Sequence, residues 1–216
     1  MPEPDLGVLV PRLRGVMHAY AFFAAAAAAA WLIAGADGPR QTIAAAVYGV
    51  GLCGLFGVSA SYHRWRFDPR HKPLLRRLDH SMIFVFIAAS YTPIALLVLH
   101  RPLAGIVLVS AWVGAGAGVL FSLLWIDAPR WVTAVAYIAL GWVIVIAAPQ
   151  LVRELGVVPS LLFALGGVLY SVGAGVYARR RPDPVPAVFG FHEVFHTLVT
   201  LAALAHFVAM AGWVFA

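Results

Sequence analysis

Charge is what this chain has least of: Asp, Glu, Lys and Arg make up 11% of its 216 residues, against about 25% in a typical soluble domain. Mean hydropathy is +0.90. That deficit excludes an ordinary water-soluble domain and implies a chain built for lipid. Cysteine is almost missing too. The single Cys53 lies in a hydrophobic run, which excludes an internal disulfide and a cysteine-based metal cage. Acidic residues number nine against fifteen basic ones, for a net charge of +6. In a soluble protein this excess would suggest nucleic acid. Here the basic residues flank apolar segments, so membrane lipids with anionic headgroups are the expected partner and nucleic acid is not.

What is present is a series of seven long apolar segments, each able to cross about 30 Å of hydrocarbon at 1.5 Å per residue. They fall near residues 17–35, 41–62, 80–99, 103–125, 130–148, 157–178 and 192–213. The expected fold is an all-α, seven-transmembrane helix bundle forming one membrane domain over residues 1–216. The first segment has a basic start, an alanine-rich core and small residues at Ala34–Ala36, the marks of a cleavable signal. Its apolar run is longer than a normal signal core, so it is expected to stay as a span.

Lys and Arg divide unevenly between alternate loops. Twelve of the fifteen lie before the first span and in the second, fourth and sixth connections, leaving only Arg40, Arg101 and Arg153 on the other side. The positive-inside rule then puts the N-terminus in the cytoplasm and the C-terminus outside, in a multi-pass protein of the inner (plasma) membrane. This orientation is opposite to that of G-protein-coupled receptors.

Against this background the histidines stand out, because imidazoles are expensive in a membrane. The last span opens with FHEVFH, which sets His192 and His196 one helical turn apart. His63 ends the second span, and Ser59 lies one turn deeper on the same face. Asp79 stands at the start of the third. The orientation places all five at one level near the cytoplasmic face. Three neutral imidazoles suit Zn2+ with a fourth position left for water, which zinc would acidify towards about 7 and turn into a nucleophile. Asp79 is then suited to hold that water and take its proton, and Ser59 to donate a hydrogen bond to substrate or water.

HEVFH also fits the H-E-x-x-H pattern, in which the glutamate is the base, so Glu193 competes with Asp79. Glu193 points about 100° away from His192 around the helix and can equally face a neighbouring helix. His18, in the first turn of span one, reads as an interfacial residue more readily than as part of the site. His206, nearly three turns deeper than His196, reads as an interhelical hydrogen-bonding group. Pro93 should kink span three and open a cavity towards the site. The glycines of the GAGAG run at Gly114–Gly118, with Gly166, Gly167, Gly173 and Gly175, give smooth faces for helix packing. The segment from Arg64 to Leu78, with Trp65, Phe67 and Leu74 among basic residues, reads as a headgroup-bound loop over the site.

Together, Ser59-x-x-x-His63, LDHSMIFVFIAASYTPI from Leu78 and HEVFHTLVTLAALAHF from His192 resemble the progestin and adipoQ receptor family, and within it the bacterial hemolysin III branch. The resemblance runs over essentially the whole chain. It implies zinc held by His63, His192 and His196, with Asp79 and Ser59 beside it. The family's likeness to alkaline ceramidases implies hydrolysis of a lipid amide or ester, whereas the hemolysin label implies a pore and other bacterial relatives imply membrane-fluidity homeostasis. Two features depart from the pattern. The chain has no long N-terminal domain of the adiponectin-receptor kind, and His80 follows Asp79 where an aromatic residue is expected. Two functions are therefore carried forward. The preferred one is a zinc-dependent lipid amide or ester hydrolase; the other is a non-catalytic sensor or pore with structural zinc. The outer halves of the spans are almost wholly apolar, which counts against a monomeric pore.

Overall fold

The computed structural model describes residues 11–65 and 68–216. It is all-helical: among the described residues the only β pairing is an isolated bridge between Val185 and Phe189. The elements are α1 (Val16–Ala34), α2 (Gly38–Arg64), α3 (Lys72–Pro93), α4 (Leu103–Leu124), α5 (Arg130–Gly141), α6 (Ala148–Leu155), α7 (Val157–Arg179) and α8 (Phe191–Ala209). Short π-helical turns extend α3 over Ile94–Val98 and α8 over Met210–Val214, and a 3-10 turn over Val143–Ala147 joins α5 to α6. Seven of the resulting segments are long and apolar enough to cross a membrane. Each overlaps an expected span.

Neighbours in sequence pack side by side from α1 to α4, α7 packs on α8 and α5, and α1 closes the ring against α8. The third span is the most enclosed, two-thirds of it lying inside the bundle. The outward faces carry residues such as Phe23, Val50, Val113 and Leu161, all more than half exposed, as lipid contact requires. Five exposed tryptophans lie at helix ends, Trp65, Trp125 and Trp131 at the end where α1 begins and Trp31 and Trp213 at the other, while Trp112 and Trp142 lie within spans. The five at helix ends form the two aromatic belts of a membrane protein.

Three local features differ from the expected ones. α3 begins at Lys72, not near His80, with Pro73 in its first turn. Hydropathy marks only the part of a helix that enters hydrocarbon, and Lys72–Leu78 is too basic to register. Most of the expected headgroup loop is therefore helix; Arg66 and Phe67 lie outside the described residues. Span five is interrupted after Gly141, where the chain tightens into the 3-10 turn. Pro93, finally, is accommodated by a π-helical turn, in which the Leu99 N–H reaches the Ile94 carbonyl at 3.0 Å.

Glycine faces set how closely the helices approach. A Cβ on Gly118 of α4 would lie 2.3 Å from the ring of Phe84, and one on Gly166 of α7 would lie 2.2 Å from the ring of His206. The same addition at Gly116 meets nothing within 4 Å. Gly118→Ala should therefore destabilise the bundle by about 1–3 kcal/mol through overpacking. Gly116→Ala should be neutral or gain up to about 1 kcal/mol from helix propensity. Thermal unfolding in detergent checks the pair, and equal shifts would contradict this packing.

Candidate metal and lipid site

The five expected residues meet at the end of the bundle where α1 starts. Ser59 and His63 come from the last turns of α2, Asp79 from the second turn of α3, and His192 and His196 from the first turns of α8. One nitrogen from each of His63, His192 and His196 lies within 4.8 Å of the other two, a spacing that could hold a metal ion. The Nε2 atoms of His63 and His192 are only 3.1 Å apart. An Asp79 carboxylate oxygen stands 3.9 Å from His63 Nε2. His196 is 3% exposed, and the side chains of His63 and Asp79 are 8% and 15% exposed. The set is thus mostly dry, with one acid beside three neutral nitrogen donors. Such a donor set suits a borderline-soft divalent ion and leaves room for a further ligand.

His18 joins them, contrary to the interfacial position expected for it. It is 3% exposed, its Nδ1 lies 2.9 Å from Ser59 Oγ, and its ring stacks on His196 with centroids 3.8 Å apart and planes 9° from parallel. Depth along the chain was readable from the spans, but which way α1 turns His18 was not. His80 packs its ring edge-on to Tyr177 at 6.3 Å, and its carbonyl accepts a hydrogen bond from the Tyr137 hydroxyl at 3.1 Å. His206 does what its depth suggested: its Nε2 lies 3.0 Å from the Phe163 carbonyl oxygen of α7.

Glu193 has a different occupation. It is 1% exposed; one carboxylate oxygen accepts from the Gly190 N–H at 2.9 Å and the other pairs with Arg14 Nε at 2.5 Å. Asp183 accepts from the next free amide, Phe191 N–H, at 2.7 Å. Two carboxylates thus satisfy the unpaired amides at the start of α8, where helix polarity also favours negative charge. The segment before α1 is tied to the same place, since the Arg12 and Leu13 N–H groups donate to the Ala187 and Val188 carbonyls at 3.1 and 3.2 Å. Gly15, at φ +72°, lets this segment press on α2: a Cβ there would lie 2.6 Å from His63 Cβ. With both its oxygens engaged, Glu193 holds the histidine helix in place, and Asp79 is the acid that stands against the cluster.

Behind the polar layer lies a cavity of about 100 Å³, whose surface is mostly apolar although Ser90, Ser171 and His206 also line it. It starts at His18, Ser59, Asp79 and His196 and passes between α3, α5 and α7 to Trp142 and His206. A second hollow shares Ser90, Tyr91, Trp142 and His206 with it and continues past the break in span five to Val145, Val157 and Leu161. The latter three are half-exposed on the lipid-facing surface.

If Glu193 is structural, Arg14→Ala, which strands a buried carboxylate, should cost about 2–4 kcal/mol. Glu193→Gln, which keeps an acceptor for the Gly190 amide, should cost less. Thermal unfolding measures both; an unchanged midpoint for Arg14→Ala would contradict the assignment.

A model of the family described as "Haemolysin-III related" matches residues 7–207. The protein named "Hemolysin-3" of Bacillus cereus is 38% identical over 133 residues, 61% of this chain and 60% of that protein, so less than two-thirds of its length is matched. The "Hemolysin-3 homolog" of Bacillus subtilis (strain 168) is 33% identical over 162 residues, 74% of this chain and 72% of that protein. The human "Monocyte to macrophage differentiation factor" is 28% identical over 200 residues, 89% of this chain and 79% of its own. The family pattern runs through all the helices that build the site, and the chain belongs to the haemolysin-III related family of membrane proteins.

Proposed function

We propose that this protein is a zinc-dependent hydrolase of lipid amide or ester bonds, working at the cytoplasmic face of the inner (plasma) membrane. One observation carries the reading: three imidazole nitrogens within 4.8 Å of one another stand beside an acid, at the mouth of an apolar cavity between membrane helices. His63, His192 and His196 would hold the ion. When bound, it would supply Lewis acidity to a substrate carbonyl and make a water more acidic. Asp79 would orient a water for attack on the carbonyl carbon and take its proton, then return the proton to the amine or alcohol released as the C–N or C–O bond breaks. Ser59 lines the same mouth and offers a hydroxyl to the substrate's polar group. The cavity accepts the acyl chain, which reaches it from the bilayer past Val157 and Leu161. The cytoplasmic placement is supported by the clustering of twelve of the fifteen basic residues on the site's side of the bundle.

The alternative of a non-catalytic sensor or pore draws on the name of the Bacillus cereus relative. A monomeric pore needs a polar path, and the hollow beyond Trp142 is lined by residues such as Ile144, Val145, Leu161 and Met210.

Metal analysis and hydrolysis of N-acyl amides and esters by purified protein test the reading. About one zinc per chain is expected in the wild type and in Asp79→Ala, and much less in His63→Ala. Turnover should fall at least about 100-fold in Asp79→Ala. A zinc-replete wild type that cleaves no lipid amide or ester would overturn the enzyme. Full metal content in His63→Ala would overturn the ligand set.

A further inference from the structure

His18 has one nitrogen accounted for and one not. Nδ1 meets Ser59 Oγ, while Nε2 is buried and has no hydrogen-bond partner among the described residues. The His196 backbone stands close to the His18 ring but offers Nε2 only a poorly aligned contact, and its carbonyl also accepts from Thr200 Oγ at 2.8 Å. A buried polar atom left alone is costly, so its persistence calls for a partner that arrives from outside the chain. The ring lines the cavity together with Ser59, Asp79 and His196. It is also fixed there, by the stack on His196 and by the edge contact with Phe56 at 5.1 Å. His18 is outside the group of three histidines whose nitrogens lie within 4.8 Å of one another.

We propose that His18 is a ligand-binding residue of this site, and that Nε2 hydrogen-bonds the polar head of a lipid, a hydroxyl or amide, whose chain runs through the cavity into the adjoining hollow and out towards lipid. The inference rests on the lipid-hydrolase reading for the kind of ligand. A neutral imidazole has one donor and one acceptor. With Nδ1 engaged by Ser59, the ring offers its second capacity to the cavity. A hydroxyl can answer either tautomer. His18 thereby sets which amphiphiles the cavity prefers: those with a hydrogen-bonding group next to the apolar chain over bare chains of the same length.

The test compares binding of radiolabelled 1-hexadecanol and heptadecane to the purified full-length protein in detergent. Neither has a bond to hydrolyse, so the assay is readable whether or not the protein turns over lipid amides. Wild type should prefer hexadecanol. His18→Asn keeps a polar atom near Nδ1 for Ser59 and removes Nε2; it should weaken hexadecanol about tenfold and leave heptadecane unchanged. His18→Gln reaches the position of Nε2 and should recover most of the loss. Equal weakening of both probes would make His18 a packing residue, and loss of bound zinc from His18→Asn would place it in the metal shell. Either result overturns the proposal, as does a wild type without preference for hexadecanol. Should His18→Asn not fold, 15N-histidine spectra of wild type, assigned with His18→Gln, decide the matter. Hexadecanol must move the His18 Nε2 resonance and heptadecane must not. Turnover of amides without a hexadecanol preference would keep the hydrolase and remove this role for His18.

Discussion

An imidazole between membrane helices has no water to fall back on, so every buried nitrogen must find a partner or cost the fold dearly. This bundle gathers four such rings, His18, His63, His192 and His196, into one layer at one end. Stacking and hydrogen bonding satisfy part of the need: His18 lies on His196 and bonds to Ser59, and His63 meets His192. One nitrogen from each of His63, His192 and His196 also converges on the others, while His18 Nε2 stays outside that group. On our reading a metal ion supplies what the helices cannot, which makes the same layer a structural demand and a chemical opportunity.

The rest of the fold keeps that layer in place. α8 carries two of the rings, and its first turn is held by Glu193, Asp183 and the Arg14 pair. The segment before α1 lies over this turn and presses on His63 through Gly15. α3 brings Asp79 in from a part of the helix that begins well before the hydrocarbon. Glycines at Gly118 and Gly166 let α3, α4, α7 and α8 close around the cavity. The break in span five gives the same cavity a route towards lipid. α1 to α4 pack on one another in sequence order, and the cavity runs between α3, α5 and α7.

Much of this was legible in the residues. Lipid demands long apolar runs, so the seven spans could be read directly, and span order with charge bias gave depth. Depth was enough to bring His63, Ser59, Asp79, His192 and His196 to one level. It says nothing of the direction a side chain faces around its helix, which is why His18 read as interfacial. Glu193 fitted a protease pattern because spacing within a motif cannot reveal a partner 179 residues away, Arg14. The early start of α3 was hidden because basic residues in a helix outside the membrane leave no hydropathy signal. The 3-10 turn after Gly141 was hidden because Val143–Ala147 is an unbroken apolar run without proline; Pro149 comes only after the helix has resumed at Ala148.

X-ray absorption at the zinc edge of the purified protein tests the central claim most directly. Three imidazole nitrogens at about 2.0–2.1 Å, with one oxygen ligand, are the predicted shell. A purified, folded protein without zinc, or with zinc in a shell lacking imidazole, would contradict the account.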